Sequence, residues 1–420
     1  MPNQPTPKGA WIQMVMLFIY MVINFADKLV LQIAAVPIMT ELHLSPEEYG
    51  AIGSYFFLCL AIAGVLIGFL ANRVATTLLI LLMGLSWAVV QFPMVFSVGF
   101  GTIVICRMLL GLGEGGAAAV ATHALYKWYP DHKRAMPTAW LSQGSAVGVI
   151  IAAPALTWIV VKVSWHAAFG TLGLIGLLWS IAWYFIGKEG PLVEPVAEVN
   201  RSDRVRYSAL LGSRTFIGCV IACFGAYWSL SLGLTWFVPF LIKGLGFSQS
   251  VAGSLSVLPW LAGAITVISG GLISQALVAR GVPTKLARGV VGTLPMIIGG
   301  CFSLMLPFVG GGWTEVMMLM IGTGLTGPIY VVCAPMLGEF TPDSQRAGVI
   351  ATFGALYVLS GILAPSVMGY LVQHGDTMLD GYHSGFRVAA IVQIVCGALG
   401  MWLMAPAIDK ARVRVLRVAA

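Results

Sequence analysis

Apolar residues run along this chain in long unbroken stretches, separated by short polar punctuation. The runs recur from residue 11 to about 408, and many reach the roughly 20 residues that an α-helix needs to cross a bilayer. They predict helices over 11–38, 46–71, 76–98, 99–127, 135–160, 165–187, 215–242, 249–277, 286–307, 313–338, 345–373 and 386–408. A membrane β-barrel would show short segments of alternating hydrophobicity instead. These runs are continuous and too long for that. The expected fold class is all-α, a polytopic membrane protein of twelve transmembrane helices.

The exceptions inside the apolar runs carry the chemistry. Arg107 and Glu114 interrupt CRMLLGLGEGGAAAV, which begins at Cys106. Seven residues are nearly two helical turns, so both side chains leave one face, about 10 Å apart along the axis. Asp27 and Lys28 interrupt an equally apolar run, MVMLFIYMVINFADKLVL from Met14. A charge at membrane depth costs several kcal/mol, so such residues face a water-filled cavity and mark an ion or substrate path.

Composition agrees with the pattern: of 420 residues 59% are hydrophobic and only 9% charged, too few charges to keep a soluble protein of this size wetted. The net charge of +7 could suggest nucleic acid, but its distribution points elsewhere. Lys and Arg collect in alternate connections: Arg73; Lys127, Lys133 and Arg134; Lys188 through Arg214; Arg280, Lys285 and Arg288; Arg346; and Lys410 through Arg417. The opposite connections hold little beyond Lys162, Lys243 and Arg387. By the positive-inside rule both termini are expected in the cytoplasm. No basic patch interleaves with stacking aromatics, so nucleic acid is not an expected partner. The first run is long, lacks a small-residue cleavage pattern and leads into further spans, which argues against a cleaved signal peptide.

A polar, Pro- and Gly-containing stretch near the middle divides the chain. The expected organisation is a six-helix bundle over 1–187, a cytoplasmic linker over 188–214, and a second six-helix bundle with a short cytoplasmic tail over 215–420. Related signatures follow the second helix of each half, GFLANRV from Gly68 and GLISQALVAR from Gly271. Two such halves are the usual build of a secondary transporter that rocks about a midplane site. Glycine is abundant, 50 residues, and much of it lies within helices, including Gly111, Gly115, Gly144 and Gly148. There it lets backbones approach closely in lipid. Two runs match G-x-G-x-x-G, at Gly111 and Gly322, but both lie within apolar spans, and no G-x-x-x-x-G-K-[ST] occurs. Nucleotide binding and ATP-driven pumping are disfavoured. No C-x-x-C occurs among the seven cysteines, and Cys219 and Cys223 read as packing. No cofactor or metal is expected. With no HExxH or GxSxG either, the chain is not expected to be an enzyme.

Several motifs occur together in a characteristic order: NFADK from Asn24, GFLANR from Gly68, RMLLGLGEGG from Arg107, WYPDHKRA from Trp128, GSAVG from Gly144, WHAAF from Trp165 and TWFVPFL from Thr235. In these the chain resembles the anion:cation symporter family of the major facilitator superfamily. The resemblance spans almost the whole chain and is strongest over 20–187. It implies transport of organic anions, mostly carboxylates such as sugar acids, often with protons. It assigns Arg107 to the substrate carboxylate and Glu114 and Asp27 to protons, with Lys28 the basic neighbour of Asp27 where the family usually has Arg. Lys28 is expected to take part in substrate binding by assisting a second anionic group, or to balance Asp27. Tyr55 and Gln143 become cavity-lining, substrate-binding positions. The chain departs from the pattern at Asn72, where an acid is usual, at His166, where Arg is common, and at Phe25, where Tyr is common. The loss of an acid at Asn72 weakens the usual cytoplasmic charge latch.

The four membrane-depth charges sum to zero when all are ionised. Arg107 stays charged, whereas Glu114 and Asp27 can be neutralised by a proton. An arriving carboxylate is expected to compete for Arg107, weaken its hold on Glu114 and so load a proton with the anion. The expected function is proton-coupled symport of a small organic anion. Acidic sugars, aromatic acids and short dicarboxylates stay open, as does Na⁺ in place of the proton. An exporter or antiporter on the same fold and a transporter-like metabolite receptor are the rivals. The expected setting is the lipid bilayer of a cell membrane, a bacterial inner membrane, with a monomer compatible with the sequence.

Overall fold

The computed structural model describes residues 6–71, 73–96, 98–130, 133–192 and 205–418. Asn72, Asp131, His132, Arg201 and Arg204, to which the sequence drew attention, lie outside the described residues. Among the described residues twelve helices are long and apolar enough to cross a membrane: α1 Ala10–Ile33, α2 Pro46–Ile67, α3 Thr76–Val95, α4 Phe100–Tyr126, α5 Met136–Lys162, α6 Trp165–Ile186, α7 Arg214–Thr235, α8 Gln249–Ala279, α9 Lys285–Phe308, α10 Trp313–Gly338, α11 Gly348–Gln373 and α12 Met378–Leu403. No strand occurs among the described residues. A further helix, α13, covers Pro406–Val418.

Local chemistry sets the ends. Ser45 and Glu48 form a reciprocal capping box at α2, and Ser164, Ser213 and Ser248 cap α6, α7 and α8. The first helix breaks at Ala34 and resumes over Ala35–Glu41, so helical residues continue through the expected end at 38. Pro37 explains the break, because it has no N–H to give the Ile33 carbonyl. That carbonyl instead accepts from Gln249 Nε2 at 2.7 Å. The last span begins at Met378, eight residues earlier than the expected 386, with the Thr377 side chain capping the Asp380 N–H. It ends at Leu403, ahead of Pro406.

The chain forms two compact units, Met1–Ala197 with Phe247–Val257, and Glu198–Gly246 with Leu258–Ala420. The first turns of α8 therefore pack with the first unit, where Gln249 meets Ile33. In that unit α1 packs on α5, α2 on α4 and α3 on α6. Glycine permits two of these contacts. A Cβ on Gly111 or Gly115 would stand 2.4 Å from the Phe56 carbonyl oxygen or 2.3 Å from that of Leu60. One on Gly148 would stand 2.6 Å from the Val22 carbonyl oxygen. Such small-residue seams replace the hydrophobic drive that lipid does not supply. Tyr20 stacks on Trp87 at 4.5 Å and packs on Trp179 at 5.1 Å, joining α1, α3 and α6.

In the second unit α12 packs on α7 and α9, and α8 on α10. Its buried core includes Cys219, Cys223 and Cys333, with the Cys223 thiol donating to Cys333 Sγ at 3.7 Å. The cysteines are free thiols.

Candidate functional site

Four elements of the first unit bring the membrane-depth charges together. The middle of α1 carries Asn24, Asp27 and Lys28; α3 carries Gln91; α4 carries Arg107 and Glu114; α6 carries Phe169. Asp27, Gln91, Arg107 and Glu114 are each 3% exposed or less. Lys28 Nζ lies 2.7 Å from Glu114 Oε2, a close ion pair, and also donates to Asn24 Oδ1. Gln91 Nε2 donates to Asp27 Oδ1 at 2.9 Å. Arg107 Nη1 donates to the Asp27 backbone carbonyl at 3.2 Å, and its guanidinium lies 5.0 Å from the centre of the Phe169 ring.

This arrangement alters one expectation. Glu114 takes its cation from Lys28 on the neighbouring helix, not from Arg107. A seven-residue step separates Arg107 from Glu114 by about 10 Å along α4. The α1 residues Asp27 and Lys28 meet them one each across that gap. As a result Arg107 is a buried cation with no carboxylate in hydrogen-bond contact among the described residues. Its Nη2 has no hydrogen-bond partner among the described residues, and neither does Asn24 Nδ2 or Glu114 Oε1.

The remaining candidates stand apart from the cluster. Tyr55 is 41% exposed on α2. Gln143 is half-buried on α5, beside Gly144, which packs against Phe18 and Met21 of α1. Neither is bonded to the four charges. Gln91 was missed in the sequence, although a lone amide in an otherwise apolar span was a usable signal. Phe169 was visible only as part of a motif.

Two polar clasps fasten the ends of this unit. At one end Glu41, beyond α1, accepts from Trp165 Nε1 at 2.6 Å and lies 3.0 Å from His166 Nε2. His166 Nδ1 lies 2.7 Å from the Met94 carbonyl oxygen. Both ring nitrogens of His166 thus lie within hydrogen-bond distance of oxygen atoms. The Trp165 hydrogen bond, supported by His166, holds the Glu41 carboxyl below its ordinary range against partial burial. His166 thus has a built role at the position where the resemblance leads one to expect arginine.

At the other end Glu189, beyond α6, reaches the start of α3 and the end of α4. It accepts from Thr76 Oγ1 at 2.9 Å, the Thr77 N–H at 2.8 Å and Lys127 Nζ at 2.8 Å. A carboxylate at a helix N-terminus also meets the positive end of its dipole. Burial works against the charged form, but the bonds from Lys127, Thr77 and Thr76 win and bring the pKa from 4.5 to about 2. A folded-state pKa below the unfolded one means that the clasp is complete above the ordinary glutamate range and lost as pH falls. The thermal stability advantage of the protein over Glu189→Gln should therefore be constant near neutrality and shrink as pH falls from 4.5 toward about 2. An advantage that stays constant through this window in pH-dependent melting would exclude the clasp.

The sequence profile of the Major Facilitator Superfamily matches residues 16–327. The chain belongs to this superfamily. It is 27% identical over 411 residues to the hexuronate transporter of Bacillus subtilis (strain 168), covering 92% of this chain and 95% of that one. It is 26% identical over 399 residues to the D-galactonate transporter of Escherichia coli O6:H1, covering 86% and 89%. Among solved structures, a bacterial homologue of the human lysosomal transporter Spinster, inward-facing and unoccupied, superposes with a TM-score of 0.79 at 18% identity, covering 97% of this chain and 99% of that one. The D-xylose-proton symporter superposes with a TM-score of 0.73 at 16% identity, covering 93% and 96%. At these identities the structural matches establish the fold alone. The twelve-helix fold and a multi-pass membrane protein of the transporter class are thereby established.

Proposed function

We propose that this superfamily member is a proton-coupled symporter of a small organic anion, with sugar acids the class to test first. The observation that carries the reading is Arg107, a buried guanidinium in contact with a backbone carbonyl and a phenyl face and, among the described residues, with no carboxylate bonded to it. A planar, permanently charged fork suits two-pronged capture of a carboxylate. The names of the hexuronate and galactonate transporters to which the chain is similar support the same substrate class.

Coupling follows from charge balance around Lys28. Asp27 and Glu114 offset Lys28 and Arg107 while the site is empty of substrate. An incoming anion adds one negative charge to a buried set that was neutral, and one proton restores the balance. Lys28 is the mobile member, a point charge on a flexible stem whose side chain is 11% exposed. Drawn toward the anion, it loosens its hold on Glu114, and Glu114 takes the proton. Asp27, bonded to Gln91, serves as the second proton-linked carboxylate, and Tyr55 and Gln143 line the path. The basic connections support a reading with both termini in the cytoplasm, residues 188–214 as a cytoplasmic linker between two six-helix halves, and a setting in an inner membrane.

Uptake by proteoliposomes against a panel of hexuronates, aldonates, aromatic acids and short dicarboxylates tests this reading. An inward proton gradient should drive accumulation of a sugar acid, and an inward Na⁺ gradient should not. Accumulation of no acid under either gradient would reject the proposal.

A further inference from the structure

The exposed side of α13 has no part in the transport scheme. This helix is docked by one face only. Asp409, 2% exposed, accepts from the Thr215 N–H at 2.8 Å and so caps the start of α7, and Val413 is buried beside it. The Ala405 N–H donates to Thr215 Oγ1 at 3.1 Å, fixing the turn that joins α12 to α13. The opposite face is open. Ile408 is 59% exposed and Val415 is 68% exposed, and a seven-residue step places them on one stripe with Ala411 between. Lys410, Arg412 and Arg414 flank the stripe and are exposed. Among the described residues none of these three cations pairs with a carboxylate.

A second group of residues lies at the foot of α12. Trp402 is 64% exposed, the Arg214 guanidinium lies 5.5 Å from its ring centre, and Lys285 Nζ donates to its carbonyl oxygen at 3.4 Å. An exposed tryptophan at the end of a span sits well at headgroup depth, where its apolar body and polar edge are both accommodated. Two cations beside it are placed for phosphate oxygens. Only Met404 and Ala405 separate α12 from α13, so the amphipathic helix is held where the span leaves the hydrocarbon.

We propose that α13, together with Arg214, Lys285 and Trp402, is a binding surface for anionic phospholipid in the leaflet at the C-terminal end of α12. The stripe of Ile408, Ala411 and Val415 enters the acyl boundary, while Lys410, Arg412 and Arg414 hold phosphate headgroups. An apolar stripe bordered by cations fits the interfacial mode of an amphipathic helix. A zwitterionic leaflet offers phosphates but no net negative surface potential to draw those three cations, which favours acidic lipid. Because Asp409 caps α7, bound lipid fastens α7, α9 and α12 through one helix.

The purified full-length protein in neutral detergent, titrated with phosphatidylglycerol or with phosphatidylcholine of the same chains, tests this through its thermal unfolding. Phosphatidylglycerol should raise Tm saturably, phosphatidylcholine should not, and added salt should weaken the effect. Neutralising Lys410, Arg412 or Arg414 to Gln should each weaken the apparent lipid affinity about fivefold, as expected for one cation near an acidic surface. Val415→Asp should weaken it with all cations retained, and Lys243→Gln, an exposed cation beyond the far end of α7, should leave it unchanged. These side chains are exposed, so Tm without lipid should match that of the parent. Equal stabilisation by both lipids, or a full phosphatidylglycerol response in the triple Gln variant, would overturn the proposal. So would a lipid-independent dimer broken by Val415→Asp, which would assign the stripe to a second copy. None of these readouts needs the transported anion to be known.

Discussion

Replacing Arg107 with lysine should cut the uptake rate of the preferred acid at low concentration by about thirtyfold or more, the scale expected when a buried charge loses its hydrogen-bonded geometry. Lysine keeps the positive charge but not the planar fork, so the loss separates two-pronged capture from simple attraction. The native guanidinium is oriented from two sides, by the Asp27 carbonyl at 3.2 Å and by the Phe169 ring 5.0 Å away. An ammonium cannot satisfy both of these and also present two parallel donors to a carboxylate. The measurement is initial uptake across a range of substrate concentrations, together with equilibrium binding to the purified variant. Unchanged apparent affinity would show that Arg107 does not clamp the substrate.

Glu114→Gln should separate exchange from accumulation. Glutamine has nearly the shape of protonated glutamate but cannot release or take up a proton. Proton-driven accumulation should fall to the level of leak, while exchange of external labelled for internal unlabelled acid continues. The substitution also leaves Lys28 without its carboxylate partner at 2.7 Å, so lower stability is expected as well. The double variant Lys28→Met with Glu114→Gln removes both charges together. If the pair is only a structural strut, the double variant should transport and accumulate normally once its stability recovers. If Glu114 carries the coupling proton, stability returns but accumulation does not. Proton-driven accumulation by Glu114→Gln itself would sink the assignment.

Much of the architecture was readable from the chain. Hydrophobic length is a local property, so the twelve spans appeared at nearly their observed positions. Deviations arose where one residue set a helix boundary: Pro37 breaks the first helix at Ala34, and Thr377 starts α12 earlier than the apolar run suggested. The caps at Ser45 and Thr377 had recognisable spacing to Glu48 and Asp380. The candidate site was readable in membership but not in wiring. Asp27, Lys28, Arg107 and Glu114 announced themselves as charges in apolar surroundings. Gln91 did so only weakly, as a single uncharged amide in an otherwise apolar span. His166 showed only as a departure from a family pattern, and its contacts with Glu41 and Met94 join segments far apart in the chain.

By itself the sequence determined a membrane-embedded, all-helical chain with four ionisable groups at depth. Both properties follow from transfer energies that each residue carries with it: long apolar runs must leave water, and a charge within one must have a functional or pairing reason to be there. Tertiary structure alone decided the partners. The close seams formed at Gly111, Gly115 and Gly148 allow the helices of the first unit to pack backbone to backbone. The resulting packing brings Lys28 to Glu114 and the Asp27 carbonyl to Arg107. Pairing energy depends steeply on distances between helices, and no spacing along a single helix encodes those distances.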